Sequence, residues 1–247
     1  MSKRTTKNVD LIITNNPKSS FAEAIKSIKT NIQFSSIDKD VKVILLTSPA
    51  PGDGKSFISA NLAAAFAQDE KKVLLMDADF RRGRQQEIFG ISKNTADLGY
   101  PNLIIHCKRY GMNNLDLNTF IYPTKIENVW LLPSGPVPPN PLELLASDNN
   151  RRILDYLKDI YDIIIIDCPP VLGLSDTLVE AQYSDVNLLA VTNGRTKQEQ
   201  LAATKSAFDK ANLKLTGVII NRVNSKGKAY STYYSDRYYT EEIKDEG

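Results

Sequence analysis

Residues Ser48-Pro49-Ala50-Pro51-Gly52-Asp53-Gly54-Lys55-Ser56 join an aliphatic run ending at Thr47 to a long helical pattern. A strand, a glycine-rich bend and a helix in that order can hold a chain of phosphates. Gly52 and Gly54 let backbone N–H groups close around oxygens without a Cβ in the way, and a helix N-terminus favours anions. Gly54, Lys55 and Ser56 complete the pattern GxxxxGK[ST], although its opening glycine is Pro49 here. Lys55 is expected to reach β- and γ-phosphates and Ser56 to offer its hydroxyl to Mg²⁺. Pro51, Gly52, Asp53, Gly54, Lys55, Ser56 and Phe57 are the candidate nucleotide contacts.

Two further aliphatic runs end in carboxylates. Val73 to Asp77 continues into Ala78 and Asp79, and i, i+2 spacing puts both acids on one face of an extended chain. Ile163 to Asp167 is followed by Cys168-Pro169-Pro170. An acid at a strand tip can serve only as a turn former or helix cap. Three of them beside a triphosphate loop repel one another unless a cation joins them, which points to a Mg²⁺-nucleotide site. Lys55, Asp77 and Asp79 are the candidate catalytic residues, and Ser56, Asp79 and Asp167 the candidate metal ligands. Other chemistries have little to work with: there is one histidine, His106, and the two cysteines, Cys107 and Cys168, are far apart. A net charge of +2 gives no electrostatic case for nucleic acid.

The elements that must position these groups are legible as an alternation. Val41 to Thr47, Val73 to Asp77, Val129 to Leu132, Ile163 to Asp167, Val186 to Thr192 and Leu215 to Ile220 are continuously apolar, as parallel strands covered on both faces are. Helical stretches separate them at Ser56 to Gln68, Asn149 to Ile160, Ser175 to Tyr183 and Thr196 to Ala211, the last ending near Asn212. The fold class is α/β, a mostly parallel sheet flanked by helices. Residues 19–34 form an amphipathic helix outside the sheet, with a serine cap and Phe21, Ala24, Ile25, Ile28 and Ile32 on one face. Residues 91–128 read as an insertion, with a short strand in GYPNLIIHC and a loop in the Asn-rich MNNLDLN. Residues 1–224 are taken as one domain and 225–247 as a flexible tail with little to bury. No apolar run approaches the ~20 residues of a membrane helix. Asn221 and Arg222, after the last strand, are candidate adenine contacts.

With these motifs the sequence resembles the bacterial protein-tyrosine kinases of polysaccharide export, the BY-kinases, which are modified P-loop ATPases. The resemblance rests on Thr47-Ser48 with Pro51 to Ser56, on Asp77-Ala78-Asp79-Phe80-Arg81, on Ile164 to Pro170, and on Leu132-Pro133-Ser134-Gly135-Pro136 through Leu145. It departs in the N-terminal helix, where the family's Glu-x-x-Arg-x-x-Arg pattern of subunit contacts reads Glu23, Lys26 and Lys29. Lysine keeps the charge but loses the bidentate fork. Gly83 stands where proline is common, a change expected to be neutral.

Tyr230, Tyr233, Tyr234, Tyr238 and Tyr239 place five of eleven tyrosines in ten residues. Read from the residues, such a tail can pack on the body, dock on a partner or be a substrate; the resemblance implies phosphoacceptors, modified in the active site of a neighbouring subunit. A free tyrosine titrates near ~10, so a carboxylate must take its proton, and Asp77 is the candidate, with Asp79 and Asp167 organising Mg²⁺. The family reading further implies a homo-oligomer, in the form of a ring, contacts through Glu23, Lys26 and Lys29, a separate transmembrane activator that regulates chain length, a tyrosine phosphatase, and a cytoplasmic location at the inner membrane face through that partner. The rival of the same fold is a partition or septum-type ATPase switch without protein kinase activity. Those relatives carry a second lysine where this chain has Ala50.

Overall fold

The computed structural model describes residues 11–35, 40–92, 97–112 and 115–223. In chain order these form α1 (Ile12–Asn15), α2 (Ser20–Phe34), β1 (Val43–Thr47), α3 (Lys55–Ala67), β2 (Val73–Asp77), α4 (Gln85–Ile88), α5 (Tyr100–Tyr110), β3 (Tyr122–Pro123), β4 (Val129–Leu132), α6 (Pro141–Leu145), α7 (Asp148–Ile160), β5 (Ile163–Asp167), α8 (Asp176–Glu180), β6 (Val186–Thr192), α9 (Gln198–Lys210) and β7 (Gly217–Asn221).

The strands make one sheet in the order β3-β4-β2-β5-β1-β6-β7. All neighbours are parallel except β3 and β4. Alternate residues of each central strand enter two different cores. Ile44 and Leu46 of β1 join Ile25 of α2 and Ile58, Leu62 and Phe66 of α3. Val43 and Leu45 join Leu103 of α5, Leu157 of α7 and Phe208 of α9. Both faces being covered, every position of β1, β2, β5 and β6 is buried, and the sequence shows apolar runs in place of alternation.

β7 departs from that expectation. It is an edge strand with one face uncovered, so Val218 and Ile220 are 53% and 59% exposed while Ile219 packs on the core. The segment expected to hold a strand at GYPNLIIHC is helix α5 instead. Pro101 sits in its first turn, where a missing N–H is no loss, and Asn102 Oδ1 accepts the Gly99 N–H at 3.0 Å. Tyr100, Leu103, Ile104 and Cys107, all buried, recur at helical spacing, so packing overrides the β preference of the two isoleucines. Helix α2 begins as expected, with Ser19 Oγ accepting the Ala22 N–H at 3.2 Å. It lies against α3, where Lys29 Nζ reaches Asp69 at 2.8 Å and the Ala65 carbonyl at 3.3 Å. Among the described residues no helix is long and apolar enough to cross a membrane.

Candidate active site

Strand order brings the chemistry together. β1 lies beside β5, and β5 beside β2, so the loop after β1 and the tips of β5 and β2 are neighbours although they are far apart in sequence. Asp77 and Asp167 are register partners on adjacent parallel strands. The chain passes from β1 through α3 to β2, over the intervening β5, and the site sits at this crossing beyond the C-terminal ends of the strands.

Gly52 and Gly54 adopt left-handed φ angles of 87° and 90°. At Gly54 a Cβ would lie 2.2 Å from Asn221 Nδ2, so the loop tolerates no side chain there. Asn221 Nδ2 donates to the Asp53 carbonyl at 2.9 Å, and Asn221 Oδ1 accepts the Arg222 N–H at 2.8 Å. The asparagine expected at adenine thus braces the loop from β7. A second brace went unread in the sequence. Arg195 Nη2 donates to the Pro51 carbonyl and to Asp53 Oδ1, both at 2.9 Å, and its guanidinium lies against Gly52. Asp53 is buried and turned toward this arginine, away from the cleft that Pro51, Gly52, Gly54, Lys55, Ser56 and Phe57 line.

That cleft encloses about 710 Å³, room for a nucleotide, and is completed by Asp79, by Arg81, Arg82 and Arg84, and by Pro170, Leu172 and Arg222. At its base Lys55 Nζ lies 3.2 Å from Asp79 and 3.4 Å from Asp167. Burial alone would lower the Lys55 ammonium, but Asp167, Asp79 and Asp77 outweigh it and hold it above the ordinary lysine range. Lys55 therefore stays charged and pairs with both carboxylates. Asp77 is wholly buried; its Oδ1 accepts the Asp79 N–H at 3.2 Å and its Oδ2 the Gln85 N–H at 3.0 Å. Burial first, then the Asp167 charge, push it up to about 8, against the pull of the Gln85 N–H and of Lys55. The Cys168 thiol is also pushed up, by burial and then by Glu180 and Asp167, which keeps it out of the chemistry.

The donor set fits a hydrated magnesium ion. Among the described residues no three His, Cys, Asp or Glu side chains are arranged to cage a bare metal. Mg²⁺ characteristically keeps several waters and shares one or two carboxylates with substrate phosphates. Asp79, Asp167 and the Ser56 hydroxyl, all within 3.4 Å of Lys55 Nζ, are the groups that would hold such an ion, and the Gln85 Oε1 is a buried acceptor with no donor among the described residues.

Gly83, expected to be neutral, is not. A Cβ there would lie 2.1 Å from Ser134 Oγ and 2.7 Å from Asp77 Oδ2, so the backbone behind Asp77 needs glycine with Ser134 where it stands. Glu23 and Lys26 pair with each other on the exposed face of α2, whereas Lys29 is engaged within the chain. The five tail tyrosines, Tyr230 to Tyr239, lie outside the described residues.

The model of the AAA domain family matches residues 41–213. The tyrosine-protein kinase YwqD of Bacillus subtilis is 36% identical over 230 residues, 93% of this chain and 91% of that one. The kinase domain of the Escherichia coli tyrosine kinase ETK superposes with a TM-score of 0.77 at 29% identity, covering 92% of this chain and 86% of that one. A more distant likeness is the septum site-determining protein MinD of Pyrococcus horikoshii, solved with Mg-ADP, at a TM-score of 0.57 and 25% identity over 74% of this chain and 71% of that one.

Proposed function

The chain belongs to the bacterial tyrosine-protein kinases on an AAA-type P-loop fold, and from that premise we propose that Lys55, Asp77, Asp79 and Asp167 transfer the γ-phosphoryl group of ATP to the tyrosines of the C-terminal tail. The observation that carries the proposal is the Lys55 ammonium set between Asp79 and Asp167 at the base of a cleft walled by the glycine loop.

Phosphoryl transfer through a loose transition state needs alignment and neutralisation more than covalent machinery. Lys55, placed beside Asp79 and Asp167, would bind the β- and γ-phosphates of the nucleotide and balance their charge. Mg²⁺, held by Ser56, Asp167 and Asp79, would neutralise the charge that spreads over the transferring group. Loop N–H groups at Gly52 to Ser56 fix the phosphates against the helix N-terminus of α3. Asp77 takes the proton of the attacking tyrosine hydroxyl as the O–P bond to tyrosine forms and the bond to the β-phosphate oxygen breaks, releasing ADP. Its raised proton affinity suits a base working near neutrality. Asn221 and Arg222 are proposed to border the base, Arg222 from the cleft wall and Asn221 through the loop it braces.

The kinship also supports a role in capsular or extracellular polysaccharide synthesis, assembly into a ring through the α2 face that exposes Glu23 and Lys26, activation by a separate membrane protein that holds the chain at the inner face, and reversal by a tyrosine phosphatase. Residues 225–247 act as the acceptor tail of the 1–224 kinase domain. Purified chain with Mg·ATP is expected to gain phosphate on Tyr230, Tyr233, Tyr234, Tyr238 and Tyr239, read by mass spectrometry of the tail. Phosphate appearing only as free product, even with an activator peptide present, would sink the proposal in favour of an ATPase switch.

A further inference from the structure

Gln85 is wholly buried in α4 and touches all three segments of the site. Its Nε2 donates to Asp167 Oδ2 at 2.8 Å and to the Ser56 carbonyl at 3.0 Å, and its backbone N–H donates to Asp77 Oδ2 at 3.0 Å. The amide has only one sensible orientation. Turned over, it would set an oxygen against a carboxylate and a carbonyl. Oε1 is thereby committed as an acceptor, yet it is buried with no donor among the described residues. A sealed acceptor left unpaired costs about 1–3 kcal/mol, so a residue serving only to fill space would be better apolar. Its other bonds go to the backbone of the residue whose hydroxyl is the metal ligand candidate and to the carboxylate of β5, so the side chain is fastened to two of the candidate metal-holding residues.

We propose that Gln85 is a positioning residue of the Mg·nucleotide site. Its NH₂ group locks the Asp167 carboxylate to the first turn of α3, so that Ser56 and Asp167 meet one cation, and its Oε1 accepts a hydrogen bond from a water of that cation. The inference rests on the reading that Ser56 and Asp167 hold the metal. A bound water of Mg²⁺ is a strong donor, and groups that orient such a shell are worth 10–100-fold in metal affinity.

The test separates the inference from its premise by measuring ADP binding calorimetrically in EDTA, then titrating Mg²⁺ at saturating ADP. Gln85→Met is expected to bind ADP in EDTA as the wild type does, which also reports that it is folded, and to need about tenfold more Mg²⁺ for half-saturation. A second readout uses the unaltered chain. Adding Mg²⁺ to the ADP complex should shift the Gln85 side-chain amide signal in NMR, and substituting Mn²⁺ should broaden it. An unchanged Mg²⁺ titration in a folded Gln85→Met protein overturns the proposal, as does an amide signal that ignores both ions. A wild type whose ADP binding does not respond to Mg²⁺ overturns the metal-site reading itself.

Discussion

Glu180 and Asp77 are both sealed carboxyls with raised proton affinity, but the two are raised for different ends. Glu180 of α8 accepts from Tyr100 Oη at 3.2 Å and Asn150 Nδ2 at 2.9 Å through Oε1, while Oε2 is buried and unpaired. Burial outweighs these two bonds and pushes Glu180 up to about 7. The folded chain therefore holds this proton more tightly than the unfolded chain, and stability falls as pH rises from about 4.5 to about 7 before levelling off. The loss across that window is on the order of 3 kcal/mol. Glu180→Gln, an isostere of the protonated form, is expected to flatten the slope, raising the melting temperature at pH 8 and leaving it near wild type at pH 5. Equal slopes in the two proteins would refute the account. Asp77 is likewise raised by burial first, and then by the charge of Asp167, its partner across the strand register.

Two elements decide whether the phosphate loop is a preformed cradle. β7 contributes Asn221 and the turn after β6 contributes Arg195, and both bonds end on the loop backbone at Asp53 and Pro51. Asn221→Ala removes the two side-chain bonds of a partly exposed residue, about 1–2 kcal/mol of stability, and frees the loop to sample conformations in which N–H groups no longer converge. Its effect should fall on binding: ADP affinity is expected to drop about tenfold by fluorescence titration, with a melting temperature only a few degrees lower. A large thermal loss without a change in affinity would make Asn221 a fold residue. Helix α5 stands on different physics, the burial of one apolar face. Ile104→Ala should cost about 2–4 kcal/mol in denaturant unfolding because the site is fully closed. An exposed residue of the same helix, Lys108, is expected to tolerate alanine within about 0.5 kcal/mol.

For the molecule as a donor and acceptor of phosphate, the two roles reside in separate parts of the chain and can be separated genetically. A Lys55→Met chain is expected to accept phosphate on its tail and donate none, and a chain with all five tail tyrosines changed to phenylalanine to donate and never accept. Mixed with Mg·ATP, the pair should phosphorylate the Lys55→Met tail, read by mass spectrometry; silence in the mixture, with wild type active alone, would place transfer within one chain. Much of this was legible beforehand. The four buried central strands, the glycine bend and its lysine, and the acids at the strand tips follow from local composition, since burial on both faces and phosphate binding each demand particular residue types at particular spacings. The helix at residues 100–110 was not, because two isoleucines favour a strand until Pro101 and a one-sided core are weighed together. Nor were Gln85, Arg195, the bracing role of Asn221 or the need for Gly83. A glutamine or an arginine in a polar loop has no pattern of its own, and its partners are 29 to 144 residues away in the chain. What the amino-acid order determined by itself was which groups could handle a triphosphate and which segments had to be buried. Only the packing of β5 between β1 and β2 decided that those groups share one cleft, because strand neighbours are chosen by long-range pairing and no local pattern encodes them.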